Sequence, residues 1–235
     1  MERDDVHAVF FDAGYTLLCM DPPQEILFLQ VCSELGITID DARLASAVRD
    51  ANVMLAPRTP ASMHRPYSIE RVDRFWIEYH RLVLNGCAVD SAAADLAEPV
   101  YRTFSKRLGW RVYDDVRPLL ADLHARGIKL GVISNWTGDL EDVLRRIDLH
   151  SPFDVIIDSA RFGHEKPHPD IFAEALRQAG VRPSAALHVG DSIEHDVDGA
   201  LGSGLRPVLI DRVGRYSTFD RAPRVADLSE LAALL

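Results

Sequence analysis

Five short apolar, largely β-branched runs punctuate the chain: AVFF (8–11), IKLGVIS (128–134), DVIID (154–158), ALHVG (186–190) and PVLI (207–210). Runs of this kind suit strands buried on both faces of a parallel sheet. Between them the apolar spacing changes to three and four. Val116, Leu119, Leu120 and Leu123 share a helical face, with Asp114 as its expected cap and Gly127 as its stop. Leu140, Val143, Leu144 and Ile147 repeat the spacing. Pro169 opens a third helix that turns Ile171, Phe172, Ala175 and Leu176 inward and ends before Gly180. Strand–helix alternation predicts an α/β fold built on a doubly wound parallel sheet.

Residues 20–109 break this rhythm. The patterns there are helical: Gln24–Leu35, Asp41–Leu55, Ser68–Leu84 and Ser91–Leu108, the third with Ile69, Val72, Trp76 and Val83 on one face. Pro57, Pro60 and Pro66 mark a loop within them. The expected division is a core from 1–19 and 110–235, interrupted by an all-helical domain over 20–109. An insert after the first strand sits beside the strand ends where α/β sheets bind ligands, and it would act as a lid.

Composition narrows the function class. The 235 residues are 47 % apolar, enough for a sizeable core. Net charge is −10, from 36 acidic and 26 basic residues, which argues against a nucleic-acid binder. Cys19, Cys32 and Cys87 lack metal-type spacing and read as reduced thiols. The opening MERDDVHAVFF is too short in apolar residues for a signal peptide or membrane span. These features predict a cytoplasmic protein acting on small molecules.

The chemistry gathers at the strand ends. The first strand ends in Asp12, the second in Ser134-Asn135, and the fourth in Gly190-Asp191, with Asp196 five residues further on. Lys166 lies in the proline-stiffened stretch HEKPHP before a helix. In a parallel sheet these groups converge as three carboxylates, a hydroxyl and an ammonium. Crowded acids repel one another, and a divalent cation relieves them. Oxygen-only ligands favour Mg²⁺. Ser134 and Lys166 would hold an anionic group for attack by Asp12.

Asp12-x-x-x-Thr16, the strand-end Ser134, Lys166-Pro167 and Gly190-Asp191…Asp196 together resemble the four motifs of the haloacid dehalogenase-like (HAD) superfamily. WRVYDD, SNWTGDLEDVL and ALHVGDSIEHDVDGA further resemble its rhythmically expressed gene 2-like branch. The resemblance implies a Rossmannoid core with a helical cap and a Mg²⁺-dependent phosphatase working through an aspartyl-phosphate. It makes Asp12 the nucleophile and a Mg²⁺ ligand. Ser134 and Lys166 would contact the phosphoryl group, and Thr16 would order the loop after Asp12. Asp191 would bind the metal directly, with Asp196 in the outer shell and the Gly14 carbonyl as a further ligand. Asn135 is expected at the substrate.

One departure stands out. The family's phosphatases carry a second Asp, the general acid and base, where this chain has Gly14. Losing a positioned general acid typically costs roughly 10²- to 10⁴-fold. Two alternatives therefore stay open. One is a 2-haloacid dehalogenase, which works without a metal and also lacks that Asp, although Asp191 counts against it. The other is a catalytically weakened binding or regulatory module.

Other polar residues have plainer readings. His188 reads as a satisfied core histidine, and Tyr15 as a packing or lid contact. GALGSG (199–204) lacks dinucleotide-binding spacing. Arg71, Arg74, Arg81 and His80 read mostly as a solvated helix face. Arg58, His64 and Arg65, in the proline-rich loop, are the better candidates for an anionic substrate.

Overall fold

The computed structural model describes residues 5–55, 68–89 and 93–235. Arg58, His64 and Arg65 lie outside them. The described chain forms two compact units, residues 5–19 with 111–235, and residues 20–55 with 68–110.

The first unit is a six-stranded sheet. Its strands are β1 (Ala8–Phe11), β4 (Lys129–Ser134), β5 (Val155–Asp158), β6 (Ala186–Gly190), β7 (Arg206–Ile210) and β8 (Arg224–Val225), in the order β5-β4-β1-β6-β7-β8. Every neighbouring pair is parallel. All four residues of β1 are buried, as its continuous apolar run predicts. The chain runs outward from β1 through β4 to β5, then crosses back to β6 on the other side. The switch point therefore lies at the C-terminal end of β1, where such sheets bind ligands. Ala8 and Phe10 share a core with Ile133, Val155 and Ile157 and with Ile171, Phe172 and Ala175 of α8 (Pro169–Ala179). Gly180 closes α8 in the left-handed conformation expected of a helix-ending glycine.

The second unit consists mainly of four helices: α1 (Gln24–Glu34), α2 (Asp41–Leu55), α3 (Ile69–Gly86) and α4 (Ala93–Arg107). Leu27, Phe28, Leu44, Ala47, Val83 and Val100 are among its core residues. Two three-residue strands, β2 (Leu18–Met20) and β3 (Trp110–Val112), pair where the chain leaves and re-enters the first unit. Neither these nor the two-residue β8 carries enough apolar pattern to be read from sequence.

Two local expectations change. The helix α5 (Val116–Ala125) is preceded by Asp115, not Asp114, and Asp115 makes no side-chain cap. Its carboxylate is drawn to Arg212 instead, while Asp114 stands in solvent. On α3 the buried face is Val72, Tyr79, His80, Val83 and Leu84, which leaves Ile69 and Trp76 at its margin. His80 is not solvated. It lies among the rings of Phe28, Tyr79, Tyr101 and Phe104, and its Nδ1 donates to the Trp76 carbonyl at 2.7 Å. All three cysteines are free. Among the described residues, no helix is long and apolar enough to cross a membrane.

Candidate active site

Asp12 follows β1, and its amide continues the ladder by donating to the Val189 carbonyl at 2.8 Å. That bond fixes the carboxylate at the mouth of the switch point. Ser134 Oγ, from the end of β4, donates to Asp12 Oδ1 at 2.9 Å. Lys166 Nζ donates to the same oxygen at 2.7 Å and to Asp196 Oδ1 at 2.6 Å. Asp12 Oδ2 accepts no hydrogen bond from the described residues. A carboxylate held by one oxygen has a fixed rotation and a free second oxygen.

Lys166 is 1 % exposed, so its ammonium has exchanged water for two carboxylates. Burial alone would lower its pKa, but Asp12 and Asp196 outweigh it and hold the group charged. Asn135 positions this lysine. Its Oδ1 accepts from the Lys166 amide at 2.7 Å, and its Nδ2 donates to the Lys166 carbonyl at 3.0 Å. The amide expected at the substrate is committed to backbone.

Asp196 belongs to a π-helical turn, Ile193–Asp198, just beyond β6. Its Oδ1 also accepts from His188 Nε2 at 2.8 Å, and its Oδ2 accepts from the Ser192 amide at 3.0 Å. Burial opposes its ionisation, yet Lys166 and His188 hold it well below the usual carboxylate range. Both oxygens are thus engaged by protein donors. Gly190 makes this possible: a Cβ there would lie 2.1 Å from Asp196 Cγ. The glycine of the Gly190-Asp191 pair is required by that approach, not by an unusual φ.

His188 is in the core, as its place in the strand predicts, but its two ring nitrogens differ. Nε2 bonds Asp196, whereas the buried Nδ1 has no hydrogen-bond partner among the described residues. Alternation along β6 holds the signal for its role. His188 and Gly190 face the same side, so whatever packs over Gly190 meets His188. Among the described residues the buried Thr16 Oγ1 has no hydrogen-bond partner, and Thr16 holds the loop through its carbonyl, which accepts from Arg212 at 2.8 Å. Arg212 carries no sequence signal.

The cluster has too little positive charge. Burial, followed by the charges of Asp12 and Asp196, pushes the Asp191 carboxyl up to about 8. Burial also raises Asp12, against the pull of Lys166. One ammonium faces three carboxyl groups, a donor set that fits a divalent cation. Among the described residues, no three acidic, histidine or cysteine side chains surround one point.

Comparison with known proteins gives the arrangement a family. The family model for haloacid dehalogenase-like hydrolases matches residues 6–204. The human haloacid dehalogenase-like hydrolase domain-containing protein 3 is 37 % identical over 244 residues, covering 99 % of this chain and 94 % of its own. The glyceraldehyde 3-phosphate phosphatase of Methanopyrus kandleri is 39 % identical over 116 residues, covering 49 % of this chain and 48 % of its own. Among solved structures, a 2-haloacid dehalogenase from Pseudomonas syringae pv. tomato superposes with a TM-score of 0.58 at 27 % identity, covering 97 % of each chain. With the motifs at the strand ends and a family match across most of its length, this chain belongs to the haloacid dehalogenase-like hydrolases.

Proposed function

We propose that this chain is a Mg²⁺-dependent phosphatase of a small phosphorylated molecule, acting through an aspartyl-phosphate on Asp12. The observation that carries the reading is Asp12 itself, a buried carboxylate turned by Ser134 and Lys166 so that one oxygen stays open. Asp12 attacks phosphorus, a new P–O bond forms, and the bond to the leaving oxygen breaks. Water then attacks the same phosphorus, releasing inorganic phosphate and regenerating the carboxylate. Lys166 has spent two of its three donors, and the third is available to a phosphoryl oxygen. Ser134 Oγ is placed to turn from Asp12 to a second. Asp12, the Gly14 carbonyl and Asp191 would hold Mg²⁺, which supplies charge neutralisation of the phosphoryl oxygens when bound. Asp196, engaged by Lys166 and His188, acts outside that shell.

Gly14 supplies no proton, so the leaving group must depart unprotonated or take its proton from water. Phosphoryl transfer is loose and depends chiefly on positioning and charge, which favours acyl and aryl phosphates over simple alkyl ones. Arg58, His64 and Arg65 are our candidates for meeting a charged leaving group, and the helical unit for capping the site. The free cysteines suit a reducing compartment, and we place the reaction in the cytoplasm.

The test is kcat/KM against leaving-group pKa, with and without Mg²⁺, for the parent and Gly14→Asp. Gly14 is not among the glycines with positive φ, so a side chain there needs no left-handed backbone. A steep dependence in the parent, flattened by the new acid, is expected. Gly14 and the dehalogenase likeness favour a second reading, in which Asp12 displaces halide from carbon. Halide release without metal would establish it. Ligand binding that survives Asp12→Asn, in a parent without turnover, would instead indicate a binding module.

A further inference from the structure

The loop that carries Asp12 into the helical insert is a tight turn held from outside. Ala13 O accepts from both the Leu17 and Leu18 amides at 2.9 Å, and Tyr15 sits at φ 57°, a conformation side chains avoid. Among the described residues the buried Thr16 hydroxyl has no hydrogen-bond partner. The Thr16 carbonyl, however, accepts from Arg212 Nη2 at 2.8 Å and Nε at 3.3 Å. The same guanidinium grips Asp115 through Nη1 at 2.8 Å and Nη2 at 3.1 Å, and it lies 3.8 Å above the Tyr113 ring. Asp115 is fixed in turn by the Leu228 amide at 2.8 Å. The Tyr113 amide donates to Leu17 O at 3.1 Å, a second tie to the same turn. Arg212 and Asp115 side chains are only 13 % and 9 % exposed, so this pair is not a solvated surface bridge.

We propose that Arg212 is the positioning residue of the nucleophile loop. Fixed by Asp115 and Tyr113, it holds the Thr16 carbonyl and thereby the turn that presents Asp12 and the Gly14 carbonyl. Only a planar fork serves a carbonyl and a carboxylate together while stacking on a ring, so lysine cannot replace it. The inference rests on the reading of Asp12 as the attacking group, because misplacing a reacting atom by about 1 Å can cost about 10²-fold in rate.

The experiment pairs amide hydrogen exchange over residues 14–18 with aryl phosphate kinetics for the parent, Arg212→Ala, Arg212→Lys and the milder Asp115→Asn. Exchange in that segment is expected to rise about tenfold in Arg212→Ala while β5 stays protected, a local opening. kcat should fall roughly 10- to 100-fold with KM nearly unchanged, the mark of a contact that matters in the transition state. Millimolar guanidinium should restore part of the kcat of Arg212→Ala, and ammonium should not. Unchanged exchange over residues 14–18 in all three variants would overturn the proposal, as would a loosened loop with full kcat. A parent without turnover would refute the phosphatase reading instead, and the exchange data would still decide whether Arg212 holds the loop.

Discussion

Lys166 Nζ stands between two carboxylates, 2.7 Å from Asp12 and 2.6 Å from Asp196, with its side chain 2 % exposed. Breaking a buried pair by removing one partner costs about 3–5 kcal/mol, because a charge is left without water or counter-ion. Lys166→Met is therefore expected to lose stability on that scale along with turnover. Adding Asp196→Asn should recover part of the stability but none of the activity. Urea titrations of the single and double variants measure the coupling. A double variant as unstable as the sum of the singles would mean the two groups do not interact.

Asn135 touches Lys166 through backbone on both sides. Its replacement by Ala should therefore act on kcat through Lys166, whereas loss of a substrate contact would raise KM. We expect kcat to fall by roughly tenfold or more with KM held, the pattern of a contact felt only in the transition state. Steady-state kinetics on a single aryl phosphate are sufficient. A raised KM with full kcat would return Asn135 to the substrate.

Asp191 and Asp196 should separate in metal binding. Asp196 is occupied by Lys166, His188 and the Ser192 amide, while the Asp191 carboxyl is pushed up to about 8 by burial and by the nearby charges of Asp12 and Asp196. Calorimetric titration of Mg²⁺ should show a large loss of affinity in Asp191→Asn and a smaller one in Asp196→Asn. Equal affinity of Asp191→Asn and the parent would remove Asp191 from the ligand set.

His80 gives the helical unit an acid weakness. Burial among aromatic rings lowers its pKa from 6.5 to about 4, only partly offset by the Trp76 carbonyl. A depressed folded pKa contributes stability that is present above the unfolded value and lost as pH falls toward the folded one. Between pH 6.5 and 4 the unfolded chain takes up a proton that the folded one refuses, at a cost approaching about 3 kcal/mol. Denaturant titrations at several pH values should give His80→Leu a shallower fall than the parent over that window. Parallel curves would mean His80 titrates normally.

The sequence by itself determined the sheet, the helices around it and the residues brought to its switch point. Burial on both faces leaves a parallel strand no polar alternative, so AVFF, ALHVG and their neighbours were legible as strands. The end of a strand is also the end of its apolar run, and that alone puts Asp12, Ser134 and Asp191 at one edge. Tertiary structure alone decided what those groups bond to. Asn135 turns to the Lys166 backbone, His188 reaches over Gly190 to Asp196, and Arg212 grips a carbonyl 196 positions away. Such contacts depend on register and on which turn approaches which, and residue spacing along one segment carries neither. The short strands β2, β3 and β8 carry no sequence signal for the same reason, since two or three residues pair because a partner is present and not because their own pattern demands it. His80 followed the same rule: its polarity suggested solvent, and the packing of Phe28, Tyr101 and Phe104 around it put it in the core.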